Sequence, residues 1–317
     1  MQHENHGRPK EIRLSSGRNP LDWIFVLRPV LHPPVWTILI LGYCKSPLKP
    51  ESILGLVWLL LLSSGAAGWA YMINQISDIE TDRRNQKLFF LPLGLISSRA
   101  ALIYAVFLCL ASLTGAVLIG LRIAIVALAL IVLGYLYSGK PFYGKNNAVL
   151  GTMLNALGHG TLTFILGYVG AGGFFGDAFL FSLPYFFAVI AVYIGTTLPD
   201  IEGDSLAAKK TPGVVLGTRF SLAVMMLSLI TALLLSLILR DIPMLIVCNL
   251  SMPFFIYAAL RPEVKNAVFA VRISVLFLSL AACVFFPWYA LCLSFLFVTA
   301  RLYYEKRFGI KYPSLTL

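Results

Sequence analysis

Three polar side chains lie four residues apart where a long apolar run ends. Residues 74–82 read NQISDIETD and contain Asn74, Asp78 and Asp82. Side chains four apart in an α-helix differ in direction by only about 40°, so these three share one helix face. Their stacked oxygen atoms repel one another unless a cation lies among them, and Mg²⁺ prefers oxygen ligands. The alternative is a solvated helix end that only terminates the apolar run.

A second acidic segment, residues 200–204, reads DIEGD and closes a later apolar run. Asp200 and Asp204 are again four residues apart, and each acidic segment is followed by basic residues. Two carboxylate clusters with nearby cations suit a diphosphate whose oxygens are bridged by Mg²⁺. The neighbouring apolar runs would enclose a hydrocarbon chain, so the sequence favours a lipid diphosphate as the ligand.

The elements that carry these segments are too apolar for a water-soluble protein. The 317 residues are 59% hydrophobic and 12% charged, with a mean hydropathy of +0.84, whereas soluble domains contain about 25% charged residues. Ten apolar segments approach the ~20 residues that cross a bilayer as a helix: 24–44, 52–76, 100–120, 122–138, 147–170, 178–199, 221–240, 243–260, 267–286 and 288–304. The last two are joined only by FFPWY, so nine spans with a re-entrant hairpin are an alternative to ten spans.

Loop charges predict how the chain crosses the membrane. If the segments alternate, 19 of the 25 lysine and arginine residues fall on one side and four on the other. Basic loops lie preferentially in the cytoplasm, so both termini and both acidic segments are predicted to be cytoplasmic. We expect the cell (inner) membrane of a prokaryote. The net charge of +11 follows from this bias and indicates membrane lipid, with no nucleic-acid partner.

The two acidic segments close the second and the sixth predicted spans. This even offset places them on the same side of the membrane and predicts a parallel internal repeat. Two acidic ladders in matching positions would then share one site.

Together these segments resemble the UbiA superfamily of intramembrane prenyltransferases. The family's first motif is N(D/Q)xxDxxxD, and its second is DxxxD, commonly DxEGD. A lysine, a threonine and a proline usually follow, as in Lys210-Thr211-Pro212. Between the motifs, YSGKPFYGK at 137–145 matches a family stretch with tyrosine and serine that ends in lysine. Arg28-Pro29 matches the arginine-proline pair of the first family helix.

The resemblance implies an all-α, multi-span membrane helical bundle of nine to ten transmembrane helices, with two parallel repeats around a lipid-facing cavity. It implies Mg²⁺ as the cofactor and a polyprenyl diphosphate as the donor, with no protein partner. The chain would then divide into a polar cytoplasmic segment at 1–22, a single transmembrane prenyltransferase domain at 23–304 and a basic cytoplasmic tail at 305–317.

The resemblance also assigns roles to residues. Lys145 joins the four aspartates in the catalytic set, and Asn155 is predicted to contact the acceptor because the family often has an amide in this helix. Glu202 and Lys140 are weaker candidates, and His159 is predicted to pack in or line the cavity. Metal and diphosphate roles are implied for Asn74, Asp78, Asp82, Asp200 and Asp204. Diphosphate contacts are implied for Arg28, Tyr137, Lys145 and Lys210.

One segment departs from the family pattern. Many members have NKPxRP after the first motif, whereas residues 85–90 of this chain read NQKLFF. Phe89-Phe90 therefore stands at the position of the arginine-proline pair. The usual contacts of that loop to the diphosphate or the acceptor are lost with the arginine, and Lys87 is a candidate to compensate.

The predicted reaction is Mg²⁺-dependent transfer of a polyprenyl group to an unidentified acceptor, with release of diphosphate. An aromatic or quinone precursor is favoured as the acceptor. A chlorin or haem ring, a glycerol-phosphate lipid and a sugar phosphate remain open. A terpene cyclase, a polyprenyl-phosphate phosphoribosyltransferase and a non-enzymatic ion-coupled transporter are the alternative functions.

Overall fold

The structure is a computed structural model that describes residues 17, 19–48, 52–84 and 89–313, and every element of three or more residues in these ranges is helical. The predicted all-α class is therefore confirmed. Lys87, the first 16 residues and the last four residues lie outside the described ranges. The α-helices are α1 (Asp22–Phe25), α2 (His32–Lys45), α3 (Ile53–Arg84), α4 (Ser98–Ile119), α5 (Leu121–Ser138), α6 (Ala148–Asn155), α7 (Thr163–Gly170), α8 (Phe175–Thr197), α9 (Ile201–Leu206), α10 (Pro212–Ile238), α11 (Ile242–Leu260), α12 (Val264–Phe285) and α13 (Trp288–Phe308).

Nine helical segments within the described ranges are long and apolar enough to cross a membrane. Three of them combine neighbouring elements: α1 with α2, α6 with α7, and α8 with α9. The tenth predicted segment forms helix α13, but its C-terminal half carries Arg301, Glu305, Lys306 and Arg307. It therefore does not reach the apolar character of the other nine.

Helices α2 and α7 approach each other closely because glycines lie at their contact. A Cβ atom at Gly167 would meet the carbonyl oxygen of Leu39, and one at Gly42 would meet the carbonyl oxygen of Phe164. Small residues let membrane helices pack backbone against backbone, which strengthens van der Waals contact where water supplies no hydrophobic driving force.

Two breaks in helical regularity shape the interior. Pro199 cannot donate the backbone hydrogen bond that would continue α8, and the chain turns through a 3₁₀-helix at Leu198–Asp200 into the short helix α9. A π-helix, Ala156–Leu162, separates α6 from α7. Such π segments are frequent at functional sites because they redirect side chains.

Helix α13 packs its C-terminal half against α1. The Arg307 Nη2 atom lies 2.9 Å from Asp22 Oδ2, and both side chains are buried. The Tyr303 hydroxyl donates a hydrogen bond to Asp22 Oδ1. The predicted boundary between the transmembrane domain and the tail, at residue 304, falls inside this helix.

We predict that Gly167→Ala destabilises the protein. The added Cβ would force α2 and α7 apart, and overpacking of this kind typically costs about 1–3 kcal/mol. Thermal unfolding in detergent measures the effect. Gly176→Ala is the matched control, because a Cβ at Gly176 meets no atom within 4 Å. Equal stability of the two variants would contradict close packing of α2 on α7.

Candidate active site

The first acidic segment lies on α3 and faces a polar cavity of about 660 Å³. Asn74, Asp78 and Asp82 all line this cavity, as expected for side chains spaced four apart on one helix. The Asn74 amide donates a hydrogen bond to Ser138 Oγ at 3.0 Å. The Asp82 Oδ2 atom is buried and has no hydrogen-bond partner among the described residues. A carboxylate oxygen left without a hydrogen-bond donor in this way is suited to a positively charged ligand.

The second acidic segment opens on the same cavity. Asp200 ends the 3₁₀-helix after α8, Asp204 lies on α9, and both line the cavity. The Lys209 Nζ atom lies 3.2 Å from Asp78 Oδ1 and 3.8 Å from Asp204 Oδ1. One ammonium group thus bridges the two acidic segments, which the chain separates by more than a hundred residues.

Lys145 supplies a second buried cation. It lies in a 3₁₀-helix, Gly144–Asn146, after α5, and its Nζ atom is 2.6 Å from both Asp78 Oδ2 and Ser77 Oγ. Burial lowers the pKa of the Lys145 ammonium below its ordinary value, and the adjacent Asp78 carboxylate opposes that shift. The charge of Lys145 therefore depends on a neighbouring anion.

The structure places Lys209, and not Lys210, in the cavity. The side chain of Lys210 is exposed and absent from the cavity lining, and its backbone N–H donates to the Asn146 carbonyl at 3.2 Å. Ala208 adopts a φ of 54°, which turns the chain after α9. The diphosphate contact that the sequence predicts for Lys210 is thus better placed on its neighbour. Glu202 and Lys140 are exposed and do not line the cavity either.

Two arginines complete the positive part of the lining. Arg28, with a φ of 55°, precedes the Pro29–Leu31 3₁₀-helix, and Arg272 projects from α12. Neither guanidinium forms an ion pair with any residue that the structure describes. Arg272 is not among the site residues predicted from the sequence, although an arginine inside an apolar span is costly and usually functional. The energetic cost of a charged residue in an apolar span is the sequence feature that could have identified Arg272.

An apolar chamber of about 380 Å³ adjoins the polar cavity. Arg28, Asn74 and Tyr137 line both spaces, so they mark the junction. Leu31, Val35, Ile38, Ala66, Ala67, Leu130, Leu133, Leu154, Val189 and Val192 contribute apolar walls to the chamber.

The π-helix borders the same chamber. Asn155, which precedes it, and His159, within it, both line the chamber. The His159 and Tyr71 rings are nearly parallel, with centroids 6.3 Å apart. The structure therefore places Asn155 beside the space expected for the hydrocarbon and away from the aspartates.

Comparison with known proteins decides the family. The model of the UbiA prenyltransferase family matches residues 35–267, which is most of the chain. The chain belongs to the UbiA prenyltransferase family. It is an integral membrane protein, as the family and the nine apolar helices among the described residues indicate.

Relatives of this UbiA family member include enzymes with different acceptors in their names. The chain is 31% identical over 174 residues to digeranylgeranylglyceryl phosphate synthase of Thermococcus gammatolerans, covering 54% of this chain and 59% of that protein. It is 23% identical over 186 residues to the bacteriochlorophyll synthase 34 kDa chain of Chloroflexus aurantiacus, covering 58% and 60%. The chain thus spans about three fifths of the length of these relatives.

Solved structures share the fold. A UbiA homolog from Archaeoglobus fulgidus bound to GPP and Mg²⁺ superposes with a TM-score of 0.68 at 21% identity, covering 86% of this chain and 99% of that one. A digeranylgeranylglyceryl phosphate synthase structure gives a TM-score of 0.64 at 22% identity, covering 83% and 96%. The UbiA fold of this chain is therefore confirmed.

The residues of this UbiA family member fit Mg²⁺ that binds together with a phosphate ligand. Among the described residues, no group of three or more His, Cys, Asp or Glu side chains forms a complete metal site. Mg²⁺ usually keeps several waters and is held by one or two carboxylates plus substrate phosphates. The paired aspartates of each segment, and the unpartnered Asp82 Oδ2, match that donor set.

We predict that Lys209→Ala weakens the binding of inorganic diphosphate in the presence of Mg²⁺. A charge-assisted hydrogen bond is worth about 1.5–3 kcal/mol, so the dissociation constant should rise roughly 10- to 100-fold. Isothermal titration calorimetry measures it. Lys210→Ala is the control: its neighbouring but exposed ammonium should leave binding near the parent value. A larger loss in Lys210→Ala than in Lys209→Ala would return the contact to Lys210.

Proposed function

We propose that this protein transfers a prenyl group from a prenyl diphosphate to an acceptor, with Mg²⁺ as the cofactor. One observation carries the proposal: a cavity that is lined, among the described residues, by four aspartates and four basic side chains adjoins an apolar chamber. A ligand with a diphosphate at one end and a hydrocarbon at the other matches both spaces. The homolog from Archaeoglobus fulgidus bound to GPP and Mg²⁺ supports the same donor class.

The two spaces define how the donor would lie. Its diphosphate would occupy the polar cavity against Lys145, Lys209 and the arginines, and its hydrocarbon would enter the chamber. The allylic carbon that bears the diphosphate would then lie at the junction, near Asn74 and Tyr137. The hydroxyls of Tyr137 and Tyr193 are hydrogen bonded at 3.2 Å, which holds the Tyr137 ring in place.

Bond breaking places negative charge on the diphosphate. The carbon–oxygen bond of the donor breaks, its electron pair stays with the diphosphate, and an allylic cation remains. Lys145 and Lys209 stabilise the departing anion, because preorganised cations in a dry site act with little screening. Mg²⁺, when bound at the aspartates, would supply Lewis-acid stabilisation of the same charge.

Transfer is completed when an acceptor carbon or oxygen forms a bond to the allylic carbon and a proton leaves the acceptor. The apolar walls of the chamber exclude water, which would otherwise quench the cation. Asn155, which lines the chamber, would contact an acceptor that reaches into it.

The names of the relatives indicate different acceptors, so they do not specify the acceptor of this protein. Their names include a digeranylgeranylglyceryl phosphate synthase and a bacteriochlorophyll synthase. An aromatic or quinone precursor therefore has to be compared directly with a glycerol-phosphate lipid and a tetrapyrrole. The protein is proposed to work in the cell membrane of a prokaryote, with the polar cavity facing the cytoplasm.

A donor-by-acceptor panel with the purified protein tests the proposal. Prenyl diphosphates of increasing chain length are combined with each acceptor class, with and without Mg²⁺, and products are identified by mass spectrometry. A prenylated acceptor formed only with Mg²⁺ supports the proposal. A cyclic hydrocarbon formed from the donor alone would indicate a terpene cyclase, and no consumption of any donor would contradict prenyl transfer.

We predict that Asp78→Asn and Asp204→Asn each lower turnover at least roughly 100-fold, the loss typical when a group that stabilises transition-state charge is removed. Each substitution removes one carboxylate charge from the metal-binding set while keeping its size. Glu202→Gln, in the same acidic segment but exposed, should retain the parent rate. Turnover at saturating Mg²⁺ is measured in all three variants. Parent-like rates in both aspartate variants would contradict their assignment as metal ligands.

We predict that both acidic segments face the cytoplasm. In a background without the five native cysteines, Glu80→Cys and Glu202→Cys should react with an impermeant maleimide only in inverted vesicles. Arg240→Cys, in the loop between α10 and α11, should react in intact cells. Labelling of positions 80 and 202 from opposite sides would contradict a shared cavity.

A further inference from the structure

The C-terminal part of the chain contributes a wall to the polar cavity. Tyr304 on α13 and, beyond it, Ile310 and Tyr312 line the same space as the aspartates. All three lie after residue 267, where the match to the family model ends. Helix α13 and the segment that follows it thus lie outside the matched part of the chain, and they reach the candidate active site.

Buried polar contacts anchor this wall. Arg307 and Asp22 form an ion pair at 2.9 Å with side chains only 3% and 6% exposed, and Tyr303 donates to the same carboxylate. The Phe25 and Tyr303 rings stack with centroids 3.7 Å apart. A buried pair of this kind fixes orientation strongly, because removing either partner leaves an uncompensated charge.

The phenylalanines that replace the family's arginine-proline pair are the second anchor. The Phe308 ring lies 5.0 Å from that of Phe89 and 5.4 Å from that of Phe90. Phe90 and Phe308 are fully buried, and Phe90 also contacts the rings of Tyr303 and Tyr304. The departure from the family motif thus forms an aromatic surface on which α13 packs.

The wall lies on the side of the cavity away from the hydrocarbon. No residue of α13 or of the segment after it lines the apolar chamber within the described residues. If the donor's prenyl chain occupies the chamber and its diphosphate the aspartates, the wall faces what remains of the polar cavity. An acceptor approaching the allylic carbon has to be accommodated there.

We infer that Tyr304 and Tyr312 are specificity-determining residues that line the acceptor site. Their rings meet edge to face at a centroid distance of 4.9 Å. The two rings, together with Arg28 in the same lining, suit a planar aromatic acceptor that carries an acidic or hydroxyl group. Aromatic faces stabilise such rings by offset or edge contacts, and arginine binds carboxylates. This inference rests on the proposed function.

The test is steady-state kinetics with Mg²⁺, a prenyl diphosphate and an aromatic hydroxy acid as the acceptor. Tyr312→Ala should raise the acceptor KM roughly threefold to tenfold, the range expected for one lost aromatic contact, and leave the donor KM unchanged. Tyr304→Phe keeps the buried ring and removes only the hydroxyl, so it tests the site without risking the fold. Tyr257→Ala, on the exposed face of α11, is the matched control and should match the parent.

The outcomes separate this inference from the proposed function. A parent protein that transfers to no acceptor overturns the proposed function and this inference with it. A parent that transfers to the aromatic acid, with the same acceptor KM in Tyr312→Ala and Tyr304→Phe, overturns the inference alone. So does a parent that accepts only a glycerol-phosphate lipid, or a change in the donor KM equal to that in the acceptor KM.

Discussion

Among the described residues, four aspartates and four basic side chains share one cavity inside an apolar helical bundle. The rest of the structure has to accommodate this concentration of charge. Asp78 is its centre, with Lys145 at 2.6 Å and Lys209 at 3.2 Å. Removing ions from water costs several kcal/mol each unless close pairing and further hydrogen bonds compensate. Under the proposed function, a diphosphate and its cations would let these side chains exchange partners. Lysines would turn to phosphate oxygens and carboxylates to the metal, and no charge would be left alone.

Part of the candidate active site lies where helical regularity is interrupted. The second acidic segment leaves α8 at Pro199, and the π-helix at Ala156–Leu162 lets His159 line the chamber. A straight transmembrane helix satisfies its own backbone hydrogen bonds and presents side chains only at fixed angles. Irregular backbone at membrane depth is tolerated where it is buried in protein or lines a cavity. The surrounding helices bury the irregular backbone, and the two irregular segments direct side chains that a straight helix could not direct into the cavities.

Much of this arrangement could be predicted because its signals are local. Spacing by four brings Asn74, Asp78 and Asp82 to one face of α3, and the even number of spans between the acidic segments brings them to one cavity. Which of Lys209 and Lys210 lines the cavity could not be predicted from the sequence in the same way. It depends on the backbone turn at Ala208 and on the hydrogen bond from Lys210 to Asn146, a contact between distant parts of the chain. The π-helix has no sequence pattern of its own, since its residues also suit an α-helix.

The departure from the family motif and the helix beyond the matched region have one physical explanation. The loop after the first motif has Phe89-Phe90 where arginine and proline are usual, and the chain continues past the matched region into α13. An arginine and a proline at these positions would not supply the two rings that contact Phe308. A proline in place of the fully buried Phe90 would also leave part of its space empty, which destabilises a packed interior. Conversely, without α13 the two phenylalanines would stand exposed beside a polar cavity. Phe89-Phe90 and α13 cover each other's apolar surface, so they form a single packed unit at the mouth of the candidate active site.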